Sequence, residues 1–466
     1  MNHRKLFVLV TVFALLLLSL PVLAQDDGEI TITFWSTEFQ PARVERQQAI
    51  IDRFEEAHPG VRVELVVADE NLMDQLMTLN LAAGTPPDVV LHPLQLTAKW
   101  YNQGLLDADF ATAIIESLGK ETFSPGALEL MEVPGEDGRY AAIPADGWGQ
   151  LLVYRRDLFE ANGLEPPTSY DAIMTAAAAL HDPDNNMIGF CGPNHPGEVY
   201  TWQVFEHIAL ANGASFVDND GNITWTSPEM VEAIQFYADL MTNYGPTESD
   251  WYWLQTRAEY LAGHCAMTIW SPFILDEMAG LRDSVLPTCE QCADDPAYIA
   301  RNTGVVSAIT GYSSDVPAAW GSVFAVGLVP GAEPAAQEFV EFWMTEAYLD
   351  SLAVAPEGKF PMRRGTPDDP TAFIEGWANL DVGVDRKAPL SDFYDEETLN
   401  TIVQGADGYM RMGYDQGQQL LASAIGSQFF IQENLVAVLN GDLTAEEAAE
   451  EMQIATEDIQ AELSSE

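Results

Sequence analysis

The sequence has 466 residues and carries 72 Asp and Glu against 20 Lys and Arg, a formal net charge of −52 at pH 7. A surface this negative repels nucleic acid and anionic lipid, and it suits solubility in a salty or acidic exterior. Apolar residues make up 47%, which excludes a disordered chain. The length also exceeds the ~250–300 residues at which a single core stops growing, so two lobes are expected.

The chain opens with a basic start (Arg4, Lys5), an apolar run from Leu6 to Leu20, and Pro21-Val-Leu-Ala24-Gln25. This is the pattern of an export signal cleaved near Ala24, since the run is shorter than the ~20 residues a spanning helix needs. No Cys follows the run, so a lipid anchor has no attachment residue. Residues 1–24 are therefore expected to be a signal peptide, and the mature protein to be soluble in the periplasm or outside the cell.

Glu29-Ile-Thr-Ile-Thr-Phe-Trp35 alternates like a strand. Val44, Ile50, Ile51 and Phe54 fall at helical spacing over 42–57, and His58-Pro59-Gly60 stops that helix. Val61 to Val67 reads as a strand, Met73 to Ala83 as a helix ended by Gly84, and Asp88-Val-Val-Leu91 as a short buried strand. This order implies a mostly parallel sheet covered by helices, in which ligands bind beyond the carboxyl ends of the strands. That rule points to Trp35-Ser36-Thr37-Glu38, Asp69-Glu70-Asn71 and His92-Pro93.

From Tyr140 to Pro144 the chain reads as extended, and Asp146-Gly147-Trp148-Gly149 as a polar loop. Leu151 to Tyr154 is a strand, and a helix starts at Arg155. Further helices are expected over 170–180, 228–240 and 334–345, and strands over 265–270 and 322–329. From about Ser427 the chain reads as helical and acidic. Four Cys, at 191, 265, 289 and 292, suggest disulfides in an exported chain, with the connectivity open. The Cys289-Glu-Gln-Cys292 pair has no second such pair and no nearby His, so a structural role is read in preference to metal or redox chemistry.

At these segments the sequence resembles the family 1 extracellular solute-binding proteins, which include the maltose-binding proteins. The resemblance rests on Ile30-Thr-Ile-Thr-Phe-Trp35, on Phe54-Glu-Glu-Ala-His-Pro-Gly-Val61, and on Leu81-Ala-Ala-Gly84-Thr-Pro-Pro-Asp88-Val-Val90. It continues through Tyr154-Arg-Arg-Asp-Leu-Phe159, Gly163-Leu-Glu-Pro-Pro-Thr168, Tyr260-Leu-Ala-Gly263-His-Cys-Ala-Met267, Gln337-Glu-Phe-Val-Glu-Phe342 and Pro361-Met-Arg363. Each piece alone is weak, and their collinear order over most of the chain is specific.

The resemblance implies an α/β, periplasmic-binding-protein-like fold: two α/β lobes joined by a hinge of several crossings, with ligand in the cleft. It implies lobes over 26–142 plus 322–360 and over 143–321 plus 361–466. The 287–319 segment is longer than the family's pattern before the second crossing and reads as a loop over the cleft rim. It also implies a small-molecule ligand, a monomer, and ABC permease transmembrane subunits as partners, with no cofactor.

A sugar ring stacks its C–H face on aromatics and needs carboxylates, amides and Arg for its hydroxyls. The expected ligand-binding set is therefore Trp35, Glu38, Asp69, His92, Asp146, Trp148, Trp202, Trp251, Trp253, Trp270, Trp320 and Arg363, with Asn302 a weaker candidate. Trp225 and Trp343 read as core. Two other classes compete with this reading: the same fold taking a polyamine, an amino-acid derivative or glycerol phosphate, and a secreted glycoside hydrolase. The chain has no Gly-x-Ser-x-Gly elbow, no His-Glu-x-x-His helix and no Walker-type loop, and an enzyme is not the reading.

Overall fold

The computed structural model describes residues 29–465, so the expected signal at 1–24 lies outside the described residues. The first strand β1 (Ile30–Ser36) alternates as its sequence does, burying Ile32 and Phe34. It pairs in parallel with β2 (Val61–Val67) and β3 (Val89–Pro93). The helices Pro41–Ala57 and Met73–Ala83 make the crossovers, and Ile50, Ile51, Phe54, Met73 and Met77 face the core. Asp88 fixes the entry to β3: its Oδ2 accepts from the Thr33 amide at 2.8 Å.

Apart from one short parallel strand, the rest of this sheet is antiparallel, which the sequence did not disclose. β4 (Ile143–Gly149) and β9 (Ala319–Leu328) run against each other, β9 also pairs with β3, and β10 (Phe360–Pro361) closes the edge. The order is β10-β4-β9-β3-β1-β2, with β13 (Tyr409–Met410) added to β9. The expected polar loop at 146–149 is thus a strand. Its glycines allow a close approach that side chains would block. A Cβ on Gly147 would lie 2.5 Å from the Ser322 carbonyl oxygen, and one on Gly149 would lie 2.8 Å from the Tyr409 ring.

A second sheet has the order β6-β7-β5-β8, from Ile188–Phe190, Cys265–Trp270, Leu151–Arg155 and Thr303–Val306. The Cys191–Cys265 disulfide ties the end of β6 to the start of β7. The helix Val199–Ala211 beside this sheet buries nearly every residue. Asp381–Val382 and Ala388–Pro389 form a two-stranded hairpin, β11–β12.

The 287–319 segment is not a rim loop. Cys289 and Cys292 close a disulfide around a short turn, Tyr298–Arg301 is helical, and β8 completes the second sheet. Its length is spent on that edge strand.

The chain passes between the sheets where β4 gives way to β5, at Gln150, and again just before β9. The two passages are tied together: the buried Gln150 donates its amide to the Trp320 carbonyl at 3.0 Å. Trp225 and Trp343 are core, the latter 5.0 Å from the Phe34 ring.

Candidate binding site

The carboxyl end of β1 delivers Glu38 to the start of the Pro41–Ala57 helix, and β4 delivers Asp146 beside it. Both meet Lys359, which enters just before β10. Lys359 Nζ lies 2.9 Å from Glu38 Oε1 and 3.0 Å from Asp146 Oδ1, over the Phe324 ring. Arg43, one turn into the helix, holds the other Glu38 oxygen at 2.9 Å. Burial pushes against the Glu38 charge, but the two cations outweigh it and hold its carboxyl below the usual range. Burial raises Asp146 to about 6, against the pull of Lys359.

A second group of aromatics comes from the second sheet. β7 ends at Trp270, whose ring lies 4.9 Å from Tyr200 and 6.5 Å from Trp253. Trp253 is 41% exposed, so it offers an open face to solvent. Arg257 lies over that ring at 5.1 Å and pairs with Glu277 at 2.9 Å.

The two walls touch along one edge. Arg43 lies over the Phe273 ring, and Arg282 bonds both Asp276 at 2.5 Å and Glu357 at 2.9 Å. A Cβ on Gly358 would strike the Phe273 ring at 2.0 Å, so only glycine permits this contact. Along the other edge, Trp148 packs on Trp320 at 5.0 Å, and Arg411 lies 4.5 Å from the Trp320 ring.

The structure brings the expected residues together in pairs: Glu38 with Asp146 through Lys359, Trp148 with Trp320, and Trp253 with Trp270. The others go elsewhere. Trp35 is 4% exposed within the hydrophobic core. Trp202 packs against Trp225 and Phe205, because its helix is buried on nearly every side and leaves no open face. Trp251 is buried, with its amide on Asn194 Oδ1 at 2.7 Å.

Asp69 caps a turn, accepting from the Asn71 amide at 2.9 Å. His92 is wholly buried against Trp100, and burial lowers its pKa to about 4, so its ring is neutral. Arg363 spends its guanidinium on the Met344 and Leu118 carbonyls, which makes it an internal strut. Asn302 donates to the Tyr298 carbonyl at a helix end.

Sequence reasoning missed Lys359, Arg43, Arg282 and Arg411. A signal was present: with 20 basic residues against 72 acidic ones, a Lys or Arg in a glycine-rich or apolar context is conspicuous. Among the described residues, no group of three or more His, Cys, Asp or Glu could hold a metal. A surface cavity of about 600 Å³ opens away from these walls, lined by Met174, Phe236 and Tyr312.

The sequence pattern of the family described as "Bacterial extracellular solute-binding protein" matches residues 44–349. The chain belongs to this family. The binding protein is 26% identical over 405 residues to the putative ABC transporter periplasmic-binding protein YcjN of Escherichia coli K12, covering 84% of this chain and 87% of that one.

It is also 26% identical over 256 residues to a mannitol-binding protein of Pseudomonas aeruginosa, covering 54% and 57% of the two chains. In fold it is similar to the maltose-bound T. maritima MalE3, with a TM-score of 0.66 at 19% identity over 92% of this chain and all of that one. A mannitol-bound solute-binding protein from Agrobacterium vitis S4 gives 0.61 at 21% identity, covering 93% and 98%. The binding protein is thus the two-lobed, non-enzymatic solute-binding component of an ABC transporter, and its partners are a small-molecule ligand and a permease.

Proposed function

We propose that the binding protein is exported by the signal at 1–24 and works as a soluble monomer in the periplasm or outside the cell. There it captures a sugar or sugar alcohol between lobes 26–142 plus 322–360 and 143–321 plus 361–466. The observation that carries this reading is the convergence of Glu38 and Asp146 on Lys359, together with the pairing of Trp270 and Trp253 on the second sheet. Carboxylates and an ammonium held in place suit hydroxyl groups, which both donate and accept. Aromatic faces suit the C–H side of the same molecule.

Relatives named for mannitol, ribitol and maltose support the polyhydroxylated class. The charge balance weighs against a polyamine, since Lys359 and Arg43 already answer both carboxylates. Ligand bridging the two walls favours the closed arrangement by its differential affinity, and the closed surface is what the permease recognises.

Calorimetric titration with mannitol, ribitol, tagatose and maltose tests the proposal. Saturable binding of at least one is expected. Binding of none, with a polyamine or amino acid binding instead, overturns the carbohydrate reading.

A further inference from the structure

Beyond the walls named above, one cluster is arranged around a cation. Glu206, 1% exposed on the Val199–Ala211 helix, accepts from Trp320 Nε1 at 2.6 Å, from the Met412 amide at 3.0 Å, and from Arg411 Nε at 3.0 Å. Arg411 follows β13, which lies against the start of β9, and its guanidinium rests over the Trp320 ring. The side chain is thus fixed from two directions, at Nε by a carboxylate and across its plane by an indole.

Its terminal nitrogens are different. Among the described residues, Arg411 Nη1 and Nη2 have no hydrogen-bond partner, whereas Arg363 and Arg282 spend theirs on carbonyls or carboxylates. The side chain is 19% exposed, so part of it reaches solvent. It does so beside Trp148 and Trp320, at the point where both crossing strands leave the larger sheet.

Resting on the solute-binding reading, we infer that Arg411 is a ligand-binding residue whose two terminal nitrogens take adjacent hydroxyls of a neutral polyol or sugar, and that Glu206 positions it. A planar fork of donors matches a pair of neighbouring oxygens. The charge balance selects neutral hydroxyls over a carboxylate. Glu206 already compensates Arg411, and a net charge of −52 opposes bringing in an anion.

The test compares wild type, Arg411→Lys and the double variant Glu206→Gln with Arg411→Met. Each is titrated with mannitol, ribitol and maltose and with glucuronate, and each is melted thermally. Arg411→Lys keeps a cation opposite Glu206 and removes the fork. The double variant leaves no buried charge unpaired, so it reports even where the single variant folds poorly. For the neutral ligand that the wild type binds, both variants lose affinity by about 10- to 100-fold. Arg411→Lys does so at an unchanged melting temperature.

Variants that bind as tightly as the wild type overturn the role of Arg411 while leaving the solute-binding reading intact. Tighter binding of glucuronate than of any neutral ligand overturns the ligand class. Failure of the wild type to bind any of the four or tagatose overturns the carbohydrate reading, and this inference with it.

Discussion

Lys359 and Asp146 form a buried ion pair, Nζ to Oδ1 at 3.0 Å, with the side chains only 4% and 8% exposed. Glu38 shares the same ammonium at 2.9 Å. One cation thus holds together the end of β1, the crossing strand β4 and the approach to β10. Removing it strands Asp146 in a dry site and leaves Glu38 to Arg43 alone, whereas removing one carboxylate leaves the cation partnered. Lys359→Met is therefore expected to cost about 3–5 kcal/mol in urea unfolding, and Asp146→Asn clearly less. Equal costs for the two variants would contradict this arrangement.

Glu357 stands between Arg43 and Arg282, at 3.5 and 2.9 Å, and so links the two walls of the gap. Glu357→Gln weakens that link by about 3 kcal/mol and shifts the free protein toward a more open form. Small-angle scattering is expected to give a larger radius of gyration for the free variant than for the free wild type, with the two converging on saturation with ligand. An unchanged free radius would show that these pairs do not hold the closed arrangement.

Asp276 is fully buried, and desolvation together with the nearby Glu357 raises its pKa to about 7 despite the pull of Arg282. The folded state therefore holds this proton more tightly than the unfolded chain does. Its contribution to stability is complete below the unfolded value near 4 and disappears as the pH rises through about 7. Asp276→Asn lacks that term. The stability difference between wild type and variant should move in favour of wild type by ~2–4 kcal/mol between pH 8 and pH 4. A difference that does not change with pH would refute it.

The two disulfides close very different loops, with sequence separations of 74 and 3. Loop-closure entropy scales with the logarithm of loop length. Replacing Cys191 and Cys265 by Ser should cost about 4 kcal/mol, and replacing Cys289 and Cys292 about 2 kcal/mol. Chemical denaturation of the two double variants checks the order.

Periodicity made the regular elements legible. Val61–Val67, Met73–Ala83, Tyr170–Leu180 and Cys265–Trp270 stand where their apolar spacing puts them, because each buries one face or both against a single layer. The second half of β4, 146–149, reads as a loop because Gly147 and Gly149 look like turn residues, while their actual role is to let Ser322 and Tyr409 approach.

The site was legible only in part. Glu38 follows from the rule that ligands sit beyond strand ends and Asp146 from its place after the first crossing, but their shared Lys359 is far away in sequence and carries no local pattern. The tryptophans divide by burial. Trp35, Trp202, Trp251, Trp270 and Trp320 are buried, Trp253 faces solvent and Trp148 is partly open, and composition does not distinguish the two groups.

A crystal structure of the binding protein soaked with the tightest-binding sugar alcohol or sugar tests the central claim most directly. The account predicts the ligand between the Glu38–Lys359–Asp146 cluster and the Trp270–Trp253 wall, with hydroxyls on charged side chains and carbons against an indole. A ligand seated instead in the cavity beside Tyr312 and Phe236, with the gap between the two walls left unoccupied, would contradict it.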